Sequence, residues 1–274
     1  MLNSIFATKG GMSQVWTKQG KRMPVTKCLV DDNIVIGQKK CMAINRQSTN
    51  FKTQPCVIFE VGYGKKKIKN TSKPLSEKIK QSGFSFGVRQ VRGLKHFIEV
   101  ENEDQELTTK VGSVLELAEI LNVGDVVKVQ GTTKGKGFAG VIKRHGMHGG
   151  PRTHGQSDRQ RAVGSIGATT TPGRVWKGKR MPGHMGNETK TVSNLVVIHI
   201  DPETKEVWLN GPVPGHLGSI LRITKTGEHK DIDLNKQAAG IKAKSNADSE
   251  IKIKKEAIQG DGSTLVSKEK SEKK

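Results

Sequence analysis

Eleven lysines and arginines, four histidines and one acid, Asp158, share the 57 residues from Gly131 to Asn187 with 14 glycines. Each of these side chains could do chemistry, and their spacing decides which. His145, His148 and His154 stand as H-x2-H-x5-H. That spacing fits no helix face, and no cysteine or carboxylate is near enough in the chain to complete a tetrahedral metal shell. Ser157, Asp158 and His154 supply the members of a nucleophilic triad, but no strand–turn–helix elbow surrounds the serine. Gly173 to Lys179 has the spacing of a phosphate-binding P-loop. Arg180 then occupies the place of the Ser or Thr that holds Mg²⁺, and Thr169-Thr170-Thr171-Pro172 precedes it instead of a hydrophobic strand. Lys136-Gly137-Phe138-Ala139-Gly140-Val141 begins like the RNA-recognition motif, yet Gly140 and Lys143 replace its later stacking aromatics. Each near-match fails at the residues that would do the work. The reading is therefore no catalysis, no cofactor, no metal and no small-molecule substrate.

What the same residues do fit is contact with an RNA backbone. Lys134, Lys136, Lys143, Arg144, Arg152, Arg159, Arg161, Arg174, Lys177, Lys179 and Arg180 offer phosphate partners, arginine as a bidentate fork and lysine as a point charge. Trp176, Phe138, His145 and His154 offer faces on which bases stack. Glycines let the chain approach RNA where a Cβ would clash and leave N–H groups free to donate. So long a stretch without periodicity is expected to be ordered by something else, and its local surplus of ten positive charges points to a polyanion.

Such a stretch must be carried by a body. Over the 274 residues, 47 Lys and Arg against 26 Asp and Glu leave a net charge of +21, a statement about partners rather than fold. The apolar fraction of 33% allows a core for part of the chain only. Strand-length β-branched runs bounded by turn residues occur at 24–30, 33–36, 56–61, 96–100, 127–129, 195–200, 207–209 and 220–223. Asp201 to Lys205 is turn chemistry, so the two runs around it predict a hairpin. Leu75 to Gln81, after Pro74 and before Gly83, predicts a short helix. Ser113 to Leu121 fits a capped helix and an alternating strand equally. Many short strands at this spacing predict a mainly β body, a small barrel or a sandwich. From residue 235 to 274 there is no aromatic residue and the lysines are mixed with acids, so a flexible lysine-rich tail is expected.

No run approaches the ~18 apolar residues of a membrane helix, and Met1-Leu2-Asn3-Ser4-Ile5-Phe6 has no signal-peptide pattern. No membrane partner is expected. Cys28, Cys41 and Cys56 are odd in number and lack C-x-x-C spacing, so they read as small apolar residues in a reducing compartment.

The block Gly131-Thr132-Thr133-Lys134-Gly135-Lys136-Gly137-Phe138-Ala139-Gly140, with Lys143-Arg144-His145-Gly146, Gly164-Ser165-Ile166-Gly167, Thr171-Pro172-Gly173-Arg174-Val175 and Lys177-Gly178-Lys179-Arg180-Met181-Pro182-Gly183, resembles the signature of the universal ribosomal protein family three of the large subunit, bacterial type. Asn210 to Gly215 is similar to the family's late turn, and Lys9-Gly10-Gly11-Met12 to its opening. The resemblance spans roughly residues 1–230 and implies a small β-barrel domain, 1–234, interrupted by a long irregular RNA-threading extension, 131–189. It reads 111–117 as strand, with a helix or turn only afterwards. It implies early-assembling binding to large-subunit ribosomal RNA, contact with neighbouring ribosomal proteins, and a cytoplasmic location on the ribosome. The extension's tip, Gly164, Ser165, Ile166, Gly167, Ala168, Thr169, Thr170, Thr171, Pro172 and Gly173, would approach the peptidyl-transferase centre without doing chemistry. Some bacterial members carry a methylated Gln after the Gly-Ser-Ile-Gly motif; Ala168 stands there in this chain.

Overall fold

The computed structural model describes residues 2–44, 53–97, 109–230 and 232–235. The expected tail from 235 and the end of the 96–100 strand run therefore lie almost wholly outside the described residues. The fold is mainly β. In chain order the strands are β1 (Ser4–Trp16), β2 (Arg22–Leu29), β3 (Asn33–Ile44), β4 (Thr53–Lys66), β5 (Gly87–Phe97), β6 (Val114–Leu115), β7 (Asp125–Thr132), β8 (Phe138–Ala139), β9 (Gly183–His184), β10 (Thr189–Asp201), β11 (Glu206–Asn210) and β12 (Ile220–His229). The helices are α1 (Lys73–Gln81), α2 (Leu117–Ile120) and α3 (Val141–His145). Among the described residues no helix is long and apolar enough to cross a membrane.

Six strands bond in the order β1-β12-β7-β10-β11-β2, antiparallel where register is resolved, and curl into a barrel-like layer. A second sheet runs β5-β4-β3-β6. The alternation in the strands explains their packing. Ile5, Val127, Val129, Val197, Leu209, Leu221 and Ile223 of the first layer join Val57, Phe59, Val61, Leu94 and Leu115 of the second in one buried cluster. The hairpin predicted around Asp201 to Lys205 is β10–β11, with Asp201 opposite Glu206.

Helix α1 begins where the proline requires, with Pro74 in its first turn. It seats Ile79 on Ile34, Ile36 and Val88. Glu60 of β4 holds it from below, accepting from Lys78 and lying 3.2 Å from Lys39. The ambiguous segment keeps the order that the family resemblance implied, β6 then α2, but not the expected extent: 111–112 is a turn and Leu117 already belongs to the helix. The strand is only two residues long and pairs with the start of β3, and the helix is one turn that buries Ile120.

Asn33, fully buried, does the work of a backbone group. Its amide donates to Phe6 O (3.1 Å) and Asp31 O (2.9 Å), while its oxygen accepts from Phe6 N–H (3.1 Å). An unmade bond here would leave buried donors and acceptors bare.

One expectation is corrected. Cys41 and Cys56 are not merely small apolar residues: they stand directly opposite in the β3–β4 register, 5.2 Å apart at Cα, and form a disulfide. Their separation in the chain hides this, because cross-strand register, not spacing, brings them together. Cys28 keeps the expected character: it is buried and free, and burial pushes its thiol up to about 12.

Asp125 closes the start of β7. Burial acts to raise its carboxyl, but the Lys225 ammonium at 2.8 Å and the Asn122 N–H at 2.8 Å hold it below the usual carboxylate range. A depressed folded pKa adds stability that is present above the unfolded value of about 3.9 and lost as pH falls through the lower folded one. The melting temperature of Asp125→Asn should therefore fall less between neutral pH and about pH 2 than that of the wild type. Parallel curves would contradict this role.

The described residues fall into two compact units, one from 2–13 and those of 23–232, the other from 14–22 and 233–235. In the described part of the second, Thr17 bridges Leu234, and Lys18 N–H donates to Asp233 O at 3.0 Å.

Candidate nucleic-acid interface

The extension leaves the body where β7 ends and returns where β10 begins. At its root Thr133 N–H donates to Glu188 O (2.9 Å) and Glu188 N–H to Thr133 Oγ1 (3.2 Å). Two further bonds, Lys136 N–H to Met185 O and Met185 N–H to Gly137 O, both 2.9 Å, continue the pairing into the short β8–β9 ladder. The two arms run so close that Gly186, at φ +77°, admits no side chain: a Cβ would lie 2.1 Å from Lys134 O.

Beyond the ladder, Ala139 and Val141 are buried and seat α3, which ends at Gly146 in the left-handed conformation. Arg144 Nη1 donates to Met181 O at 2.9 Å, and His145 Nε2 lies 3.1 Å from the same oxygen. These two half-buried residues, expected to meet RNA, thus also pin the outgoing arm to the returning one. Arg144 keeps its other N–H donors for a second partner.

Further out the backbone has almost nothing to bury against. From 151 to 180 every residue except Gln156 and Val163 is exposed. Gly150 N–H to Gln160 O at 2.9 Å closes the loop that carries Arg152, His154 and Arg159. Arg161 follows it, and Arg174, Lys177, Lys179 and Arg180 stand exposed on the return. The tip, Gly164 to Gly173, is wholly exposed, with Ser165 Oγ donating to Gly167 O at 2.9 Å. Lys134, Lys136 and Lys143 are exposed nearer the root.

Phe138 is 79% and Trp176 62% exposed, too open to solvent to serve as core. Among the described residues Arg159 alone of these cations has a carboxylate within reach: Asp158 at 4.0 Å, both side chains mostly exposed, a pair worth little in water. The arrangement is a bonded root carrying an arm of mostly unpaired cations and exposed aromatic faces, and it can do electrostatic and stacking chemistry on a polyanion.

The sequence reading missed basic groups on the body. Lys65, Lys66, Lys67, Lys69 and Lys73 are all exposed from the end of β4 to the start of α1, and their near-continuous run was visible in the chain. Lys9 was also missed, and its role is structural. Its ammonium donates to Val213 O (2.7 Å) and Gly215 O (2.9 Å), locking the turn at Asn210 to Gly215. No local signal in the sequence links positions so far apart.

Comparison of the sequence with known proteins points to one family. The profile of the family described as Ribosomal protein L3 covers residues 102–212, which include the whole extension. The large ribosomal subunit protein uL3 of Herpetosiphon aurantiacus is 40% identical over 228 residues, 83% of this chain and 98% of that one. Its counterpart in Dehalococcoides mccartyi is 36% identical, over 83% of this chain and 100% of its own length. That of Alkaliphilus metalliredigens is 38% identical, over 82% and 98%. With relatives matched almost end to end and the extension inside the matched region, the chain belongs to the ribosomal protein L3 family, uL3.

Proposed function

We propose that this chain is a structural protein of the large ribosomal subunit. It binds ribosomal RNA directly and early in assembly, meets neighbouring ribosomal proteins, and catalyses nothing itself. In this reading residues 1–234 act as one body interrupted by the 131–189 extension, and 235–274 is an appended tail. The tip, Gly164 to Gly173, reaches towards the peptidyl-transferase centre, where Ala168 leaves no amide to methylate.

The observation that carries the reading is the exposure of 151–180 in a segment with so many unpaired cations. A chain does not ordinarily keep thirty residues in one irregular path without a partner to order them. RNA supplies both counter-charge and surface, and phosphate contacts set the affinity while releasing counterions. A free RNA chaperone would share the charge but not the fixed place. Sedimentation separates the two: the chain is expected to remain in the large-subunit peak after a high-salt wash of purified ribosomes. Release into the soluble fraction would overturn the structural role.

A further inference from the structure

One stretch of the body carries positive charge more densely than the extension does. From Lys65 to Gln81, seven lysines stand against one acid, Glu77, a surplus of six in 17 residues. That is about twice the density of Gly131 to Asn187, where a surplus of ten is spread over 57. Two of the seven are neutralised within the fold: Lys65 lies 2.6 Å from Asp32, and Lys78 donates to Glu60. Each of those carboxylates already serves a second lysine, Lys205 for Asp32 and Lys39 for Glu60. Lys66, Lys67, Lys69 and Lys73 are exposed, and among the described residues no carboxylate lies within ion-pair distance of them.

The backbone under these four is fixed without a ligand. Lys66 stands opposite Gly87 across β4–β5. Ile68–Asn70 is a single 3-10 turn, with Asn70 N–H donating to Lys67 O and Thr71 N–H to Ile68 O, both at 3.0 Å. The turn lies flush on the start of β5, where Gly87 leaves no room for a Cβ against Thr71 and Ile68. Lys73 opens α1, which Ile79 and Glu60 pin to the sheet. The fold thus gathers four like charges on one short path, an arrangement that repels itself until counter-charge arrives.

This surface offers charge and little else. Ile68 is half-buried, Leu75 packs against the α1 cluster and Ile79 is buried in it, so no large apolar side chain of the stretch is exposed. Between the lysines stand Asn70, Thr71 and Ser72. Protein interfaces are built round aromatic and apolar anchors and are depleted in lysine at their centre. Phosphates ask only for the charge.

We infer that Lys66, Lys67, Lys69 and Lys73 are a second RNA contact, carried by the β5-β4-β3-β6 sheet rather than by the strands that root the extension, each taking a backbone phosphate of large-subunit RNA. The inference rests on the proposed RNA-binding function. Two contacts on separate elements have a distinct signature: their losses add, because they share no phosphate.

The test is filter binding of full-length protein to a large-subunit ribosomal RNA transcript across a KCl titration, with thermal melting of each free protein. Wild type is compared with the body variant K66A/K67A/K69A/K73A, the extension variant K134A/K136A/R174A/K179A and the two combined. A further control, K21A/K95A/K110A/K230A, removes four exposed lysines scattered over the chain. The body variant is expected to lower the salt slope by about three and to melt no lower than wild type, since it loses no internal ion pair. The combined variant should lose about six, and the scattered one less than about one.

An unchanged slope in a body variant that melts like wild type overturns the inference. An equal loss in the scattered variant does so too, because the effect is then one of net charge alone. A combined variant no weaker than either parent also overturns it. If the body variant melts lower, K67A/K69A, outside both β4 and α1, decides: a slope lower by about 1.5 supports the inference and an unchanged one overturns it. If the extension variant loses slope while the body variant does not, only this inference has failed; if neither does, the RNA-binding function has failed as well.

Discussion

Replacing Lys134, Lys136, Arg174 and Lys179 together with alanine is expected to lower the salt slope of ribosomal RNA binding by about three units, at about 0.7–0.9 for each lost phosphate contact. Low-salt affinity should fall by several orders of magnitude. All four side chains are exposed, and none has an acidic partner among the described residues, so their loss removes no internal ion pair. Folding should be untouched: the root bonds at Thr133, Lys136 and Glu188 are made by backbone groups and the Thr133 hydroxyl. Filter binding across a salt titration, with circular dichroism as the folding control, checks both halves. An unchanged slope in a folded variant would remove these residues from the interface.

The second large effect lies in the body. Phe59→Ala should cost about 3–5 kcal/mol, a large share of a typical stability of roughly 5–15 kcal/mol. Phe59 is 1% exposed and sits cross-strand from Leu94, itself fully buried, in the cluster shared by both sheets. Removing the ring therefore opens a cavity that strands on two sides cannot easily close, because each is held by its own ladder. Urea unfolding followed by the fluorescence of buried Trp208 measures it. A loss below about 1 kcal/mol would mean that the site collapses and that the two sheets share less packing than their contacts imply.

Much of the body is legible in the chain because its strands alternate. The β2, β7, β10, β11 and β12 cores were all marked by β-branched runs, and α1 by its proline. What escaped has identifiable causes. β1 was not read as a strand because Lys9-Gly10-Gly11 breaks the pattern. Gly10 nevertheless belongs there: a Cβ would lie 2.7 Å from the Lys27 carbonyl, so the glycine marks close approach of two strands, not a loop. β3 and β4 extend well past their apolar runs because β4 is laddered along its length to β3 and to β5, and backbone pairing needs no apolar residue at every inward position. β5 carries three cations, Arg89, Arg92 and Lys95, and two glycines. It is an edge strand, and its charge suits an edge better than an interior.

The functional residues divide along the same line. The extension's cations, glycines and aromatics were readable from composition, because a segment with no core of its own carries its chemistry as a local list. Arg144 and His145 show the limit of that list: only the fold reveals that they also hold Met181. Arg222 reads in the sequence as one cation within an apolar strand, and only the fold shows that its Nε is shielded from solvent without a hydrogen-bond partner.

The net charge of +21, its concentration in the Gly131 to Asn187 segment and the β-rich character of the rest were determined by the sequence alone, since each is a sum over local residue types. Tertiary structure alone decided the Cys41–Cys56 link, the Lys9 lock on the 210–215 turn, and the half-burial of Arg222 opposite Phe6. Those depend on strand order and register between positions far apart in the chain, and no local pattern of side chains encodes them.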